Sequence, residues 1–220
     1  MKWYLDFGHG GKDSGAIGTK NTKESECALK IGLLVKNKLE AASEKVITTR
    51  ETDKYYTLTE RTTKANNNNC DYFVSIHLNS STNITAKGCE VWVYDENSKL
   101  YTLSKDLCIN LSKTLNTPNR GVKVSKQFSV LKNSKMPSLL IEVDFISNSQ
   151  VEASLSSDSY IKNVADTIAS TLLNFVNKSI PSDEVLYKVY IGAFKDKSNA
   201  IALKNTAISK GFADTYILKD

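Results

Sequence analysis

Apolar residues are laid out along this chain in two alternating patterns. Short apolar runs at about 2–6, 45–49, 72–76, 88–94 and 138–142 read as strands. Between them, stretches at about 23–41, 57–68, 98–115 and 158–177 carry helical spacing; in the first, Leu29, Leu33, Leu34 and Leu39 recur on one side. Alternation of this kind predicts an α/β fold, a twisted, mostly parallel sheet flanked by helices. In such sheets ligands gather beyond the carboxyl ends of the strands. The polar run Asn66 to Asn69 reads as a helix end and loop, and Asn79 to Lys87 and Thr117 to Gly121 read as loops.

The pattern breaks near residue 178. Residues 179–185 read as a linker after a catalytic-size domain at 1–178. An alternating strand follows at 186–194, then a helix at 197–210 with Gly211 as its cap, then a strand at 216–218. This small β-α-β unit, 186–220, is too short to bury a core alone and leaves strand edges open. It must dock on the larger domain, pair with a second copy or stay loosely folded.

The polar residues that interrupt the apolar runs carry the chemistry. The chain has two histidines. His9 follows the first run inside a glycine-rich segment, and His77 ends the third. Imidazole is the commonest metal ligand, and glycines let a backbone bend and approach a ligand. One histidine past a strand often only caps it; two at matching positions ask for a third ligand. A carboxylate supplies it in many catalytic zinc sites. Glu24 opens the first helix, where Thr22 would cap it and a negative charge suits the dipole. Glu26 is the rival, about 200° around the helix. Glu142 closes the apolar run Leu139-Leu140-Ile141. Facing a cleft there, a carboxylate is placed to act as a general base on a metal-activated water.

These residues resemble the motifs of zinc-dependent N-acetylmuramoyl-L-alanine amidases of the amidase-3 type, which include sporulation wall hydrolases of Gram-positive bacteria and phage endolysins. The resemblance runs over about residues 2–177. It rests on Asp6-Phe7-Gly8-His9-Gly10-Gly11, on Glu24 five residues before Leu29, and on Thr49-Arg50-Glu51 with Leu58-Thr59-Glu60-Arg61. Ser75-Ile76-His77-Leu78-Asn79-Ser80 and Glu142-Val143-Asp144-Phe145 complete it. The resemblance implies zinc (Zn2+) on His9, Glu24 and His77, with Glu24 chosen over Glu26, and Glu142 as the catalytic base. It implies hydrolysis of the amide between N-acetylmuramic acid and L-alanine, with Asn79 and Arg61 as substrate contacts. Asp144 stands where the family commonly has glycine, so it is expected to raise the proton affinity of Glu142 or to alter the turn. The unit at 186–220 resembles half of a SPOR-type peptidoglycan-binding domain, which implies wall binding or a homodimer.

Composition narrows the alternatives. Of 220 residues, 40% are hydrophobic and 24% charged, which suits a soluble globular chain. No apolar run is long enough to span a membrane, and Met1-Lys2 leads straight into the first strand without a signal peptide. The expected location is the cytoplasm until lysis or a holin-type release, then the wall. The net charge of +5 favours an anionic surface such as a Gram-positive wall, while no basic cluster with interleaved aromatics points to nucleic acid. Cys27, Cys70, Cys89 and Cys108 lack metal-ligand spacing and read as free thiols. Two other functions remain open: a zinc carboxypeptidase on wall peptides, needing a fixed cation such as Arg61 or Arg120, and a non-catalytic wall-binding protein.

Overall fold

The computed structural model describes residues 1–178, 192–212, 215 and 217. The chain divides into two compact units, Met1–Ser179 and Ile180–Asp220. The larger unit is built on six strands: β1 (Lys2–Phe7), β2 (Lys45–Thr48), β3 (Tyr72–Asn79), β4 (Cys89–Val93), β5 (Asn119–Val124) and β6 (Ser138–Phe145). They form one sheet in the order β2-β1-β3-β6-β4-β5. All neighbours are parallel except β4 and β6.

Period-2 alternation decides what each face holds. Trp3, Leu5, Val74, Ile76, Val91, Leu139 and Ile141 point to one side, where they form the larger core. The helices α1 (Glu24–Ala41), α3 (Tyr101–Leu115) and α6 (Asp158–Lys178) supply Ile31, Val35, Leu107, Leu111, Val164 and Ile168 to it. Tyr4, Phe73 and Leu140 point to the other side and pack with Ala65 of α2 (Leu58–Asn67) and with Val130 and Leu131 of α4 (Ser129–Asn133). Helix α2 starts on a reciprocal cap, in which Thr57 accepts from the Glu60 N–H and the Glu60 carboxylate accepts from the Thr57 N–H. Helix α1 has no such cap. Its N-cap is Lys23 rather than Thr22, and no side chain bonds there.

Four elements differ from the sequence reading. The loop expected at Thr117–Gly121 is partly strand β5, an exposed edge whose polar residues hide the pattern and which forms by pairing with β4. Helices α4 and α5 (Ser149–Leu155) are too short to show periodicity. Strand β6 runs on to Phe145, so Glu142 lies within the ladder rather than at its exit.

In the smaller unit, helix α7 (Lys197–Ser209) is capped at its start by the Asp196 side chain. It ends on Gly211, at φ +97°, with the Gly211 N–H bonding the Ile208 carbonyl and the Phe212 N–H bonding that of Ala207. That is a Schellman closure, which needs the left-handed backbone glycine adopts readily. The expected linker at 179–185 and most of the strands expected at 186–194 and 216–218 lie outside the described residues.

Candidate metal and proton-transfer site

Three of the sequence-selected residues converge at the carboxyl ends of β1 and β3. His9 sits two residues past β1, Glu24 is the first residue of α1, and His77 lies near the end of β3. One donor atom from each falls within 4.8 Å of the others. The Glu24 carboxylate lies between the two rings, with Oε2 at 3.2 Å from His9 Nε2 and Oε1 at 2.9 Å from His77 Nδ1. The N–H groups of Ala16 and Leu78 donate to its two oxygens. Glu24 is buried, whereas Glu26 is exposed and pairs with Lys23 at 3.1 Å, so the fold itself separates the two rivals.

Burial alone would raise the proton affinity of Glu24. The hydrogen bonds and charge of His77 and His9 outweigh it and hold the carboxyl far below its usual range. For His9 the same contest runs the other way: burial opposes the charged ring, but Glu24 and Asp13 prevail and raise its proton affinity. Asp13 Oδ2 lies 2.9 Å from His9 Nδ1, which leaves Nε2 facing Glu24. Carboxylates in this position orient metal-binding imidazoles. Asp13 lies four residues past His9, and the two side chains meet only because the loop folds back.

Backbone geometry at His9 is unusual. Its φ of +57° is a left-handed conformation that side chains with a Cβ seldom adopt. Such strain persists where surroundings over-determine it, and here two buried arginines do so. Arg50 donates to the carbonyls of Phe7, Gly8 and Ser25. Arg61 donates to those of Phe7, His9 and Tyr56 and pairs with Asp6 at 2.7 Å. Arg61, expected to touch substrate, is 3% exposed and braces the loop from beneath instead. Gly8 completes the fit: a Cβ there would lie 2.4–2.7 Å from atoms of the His77 ring.

Glu142 stands in the next strand, directly across from His77 in the β3–β6 pairing. The residue is half-buried, and its Oε2 is shielded from solvent without a hydrogen-bond partner among the described residues. Burial first, then the charges of Glu24 and Glu90, raise its proton affinity well above the carboxylate norm. Asp144 is not the cause. Its carboxylate accepts from the N–H groups of Gly88 and Phe145 and from the Thr117 hydroxyl, tying β6 to its neighbours. Asn79, the other expected substrate contact, donates through Nδ2 to Glu90 at 2.9 Å. On α5, unforeseen in the sequence, Glu152 accepts from the Thr19 hydroxyl and the N–H groups of Lys20 and Thr22. It thereby holds the segment leading into Glu24.

The donor set fits a zinc ion. Imidazole and carboxylate are its usual ligands, and tetrahedral ligands stand about 3.4 Å apart for bonds of ~2.1 Å. The three donor atoms, one per residue, lie within 4.8 Å of one another, close enough for side-chain movement to bring them round one ion.

Residues 4–174 match the family described as N-acetylmuramoyl-L-alanine amidase (Amidase_3). The sporulation-specific N-acetylmuramoyl-L-alanine amidase of Bacillus subtilis is 35% identical over 224 residues, covering 100% of this chain and 86% of that protein. Among solved structures, an N-acetylmuramoyl-L-alanine amidase from Clostridium difficile 630 is similar with a TM-score of 0.76 at 30% identity, over 81% of this chain and 97% of that one. The Nostoc punctiforme amidase AmiC2 is similar with a TM-score of 0.76 at 33% identity, over 81% and 98%.

Proposed function

The chain belongs to the N-acetylmuramoyl-L-alanine amidase family, hydrolysing the bond between N-acetylmuramic acid and L-alanine in peptidoglycan, and we propose that it does so with zinc and with Glu142 as proton carrier. His9, Glu24 and His77 would hold the ion. When bound, zinc supplies polarisation of the amide carbonyl and a nucleophilic water near neutral pH.

The protein's own residues do the rest. Glu142 accepts the proton of the attacking water and delivers it to the departing L-alanine nitrogen, so the same carboxyl serves as base and then as acid. A raised proton affinity suits the second half of that task. Glu24, held ionised by its two imidazole neighbours, is suited to ligation rather than proton transfer. Asp13 orients His9, and Arg50 and Arg61 keep its strained backbone in place. The observation that most supports this reading is the direct pairing of His77 with Glu142, which sets proton carrier and metal ligands side by side.

Residues 186–220 are assigned to wall binding or homodimerisation as a SPOR-like half-domain. The full-length match to the Bacillus subtilis relative supports a shared unit there. A net charge of +5 suits the anionic Gram-positive wall as the surface approached.

Digestion of purified peptidoglycan, with and without chelator, tests the reading. Released stem peptides with N-terminal L-alanine are expected, and chelation should stop their release. Single C-terminal residues as the product would indicate a carboxypeptidase. Full activity with no metal bound would overturn the zinc assignment.

A further inference from the structure

The polar row that pairs His77 with Glu142 continues across two more strands. Antiparallel pairing of β4 with β6 sets Glu90 opposite Glu142. Strand β5 then brings in Arg120, whose Nε donates to Glu90 Oε2 at 2.8 Å. Glu90 is 4% exposed and is fixed from its other side by Asn79 Nδ2 at 2.9 Å and Trp92 Nε1 at 3.2 Å, both on Oε1. The partner of Arg120 is therefore a rigid, buried carboxylate rather than a mobile surface one.

Two further contacts hold the arginine. Its guanidinium carbon lies 4.8 Å from the centre of the Phe145 ring, three residues beyond Glu142 on the same strand. Its stem passes Gly88, where a Cβ would come within 2.8 Å of both Cγ and Cδ. Held at one edge and at its stem, the side chain is still 41% exposed. Its two terminal nitrogens make no hydrogen bond among the described residues. A guanidinium presents a planar fork that matches a carboxylate bidentately. Fixing that fork in advance reduces the entropy lost on binding.

The direction of the reaction says which part of the substrate reaches it. The row runs from the metal ligands through Glu142 and Glu90 to Arg120. Glu142 hands its proton to the leaving nitrogen, so the stem peptide departs on the Glu142 side. Neighbouring strands are ~4.8 Å apart, and a peptide advances ~3.3–3.6 Å per residue. Arg120 starts two strands from Glu142, but its guanidinium carbon reaches back to 4.8 Å from the Phe145 ring on β6, so a charge one or two residues past that nitrogen falls near its fork. When the second stem residue is joined through its side-chain carboxyl, its α-carboxylate is free at that distance.

We propose that Arg120 is a specificity-determining residue that binds the free carboxylate of the second residue of the stem peptide. The proposal rests on the amidase reading above.

The test uses the zinc-loaded full chain and two soluble muropeptides that differ only in carrying that group as carboxylate or as carboxamide. kcat and KM are measured for both. Calorimetry gives Kd for the two matching stem peptides without the muramyl group. The unsubstituted protein should prefer the carboxylate about tenfold or more, chiefly through KM, as expected for a charge-assisted hydrogen-bonded pair. In Arg120→Gln the ratio of the two substrates should fall to near one, and Arg120→Lys should recover part of it. A merely structural role would depress both substrates alike and keep their ratio; that result overturns the proposal, as does an unsubstituted protein without preference. If neither muropeptide is cleaved, the amidase reading fails, and equal Kd values for the two peptides would reject the Arg120 assignment separately.

Discussion

His77 and Glu142 are opposite partners in the parallel ladder of β3 and β6. The pair sets apart two carboxylates with different tasks. On one side of it, Glu24 receives two imidazoles and two N–H donors and is pulled toward the charged form. On the other side, Glu142 is shielded, has an oxygen with no partner among the described residues and is pushed toward the protonated form. Environments that drive two titratable groups apart in this way mark out their separate roles in a site.

That division predicts a split between metal content and turnover. Glu142→Gln should keep zinc while lowering kcat by the ~10²–10⁴ typical of a lost proton-transfer group. His77→Ala should lose both zinc and activity, and Glu26→Gln should change neither. Native mass spectrometry alongside peptidoglycan hydrolysis reads the two quantities. Loss of zinc from Glu142→Gln would require the roles to be redrawn.

Gly8→Ala makes a purely steric case. The added methyl would meet the His77 ring at 2.4–2.7 Å, and the ring cannot yield without leaving Glu24. Zinc affinity should fall at least tenfold, within the 10–100-fold range seen when a ligand's support is lost, while the sheet still forms. A competition titration against a chelator, paired with a far-ultraviolet circular dichroism spectrum, distinguishes a displaced ligand from a misfolded chain.

The two histidines and Glu142 stood out in the sequence because each closes or follows an apolar run, although β6 continues past Glu142, and Glu24 was separated from Glu26 only by the family resemblance. The central strands and long helices were legible for the related reason that periodicity reports burial. What the sequence hid was set by tertiary contact. β5 is an edge whose polar residues carry no alternation, yet it delivers Arg120 to Glu90. Arg61 stands in a recognisable motif, but whether it faces substrate or the loop above it depends on the Asp6 carboxylate, far away along the chain. Asp144 looked like a neighbour for Glu142, and its hydrogen bonds go to Gly88 and Thr117 instead.

Removing the C-terminal unit should separate targeting from chemistry. Residues 4–174 span the family match, and helix α6 ends at Lys178. A chain stopped after residue 178 should hydrolyse soluble muropeptides as the full chain does but bind whole walls less. If 186–220 also dimerises, sedimentation should show a dimer only for the full chain. Unchanged wall binding would remove the targeting role, and a full-length monomer at tens of micromolar would remove the dimer.

Arg61 should matter to stability rather than to substrate affinity. Arg61→Met would leave Asp6 buried without its cation and release the carbonyls of Phe7 and His9. Removing one partner of a buried ion pair costs about 3–5 kcal/mol. Urea unfolding should show a loss of that size. A stability within 1 kcal/mol of the parent, together with a raised KM, would instead return Arg61 to the substrate surface.

Asp6 gives that ion pair a pH signature. Burial opposes its ionisation, but Arg61 and the Thr49 hydroxyl outweigh burial and hold the carboxyl below its ordinary value. A carboxyl depressed in the folded state binds its proton more readily when unfolded. Its contribution to stability is therefore complete above the unfolded value near ~3.9 and is lost as pH falls through the lower folded value. Asp6→Asn removes that titration. The stability difference between the parent and Asp6→Asn should be constant from about pH 7 down to about pH 5 and should shrink as the pH drops below about 4. Urea midpoints measured across that range supply the test. A gap that stays flat below pH 4 would mean that Asp6 is not held in its charged form by Arg61.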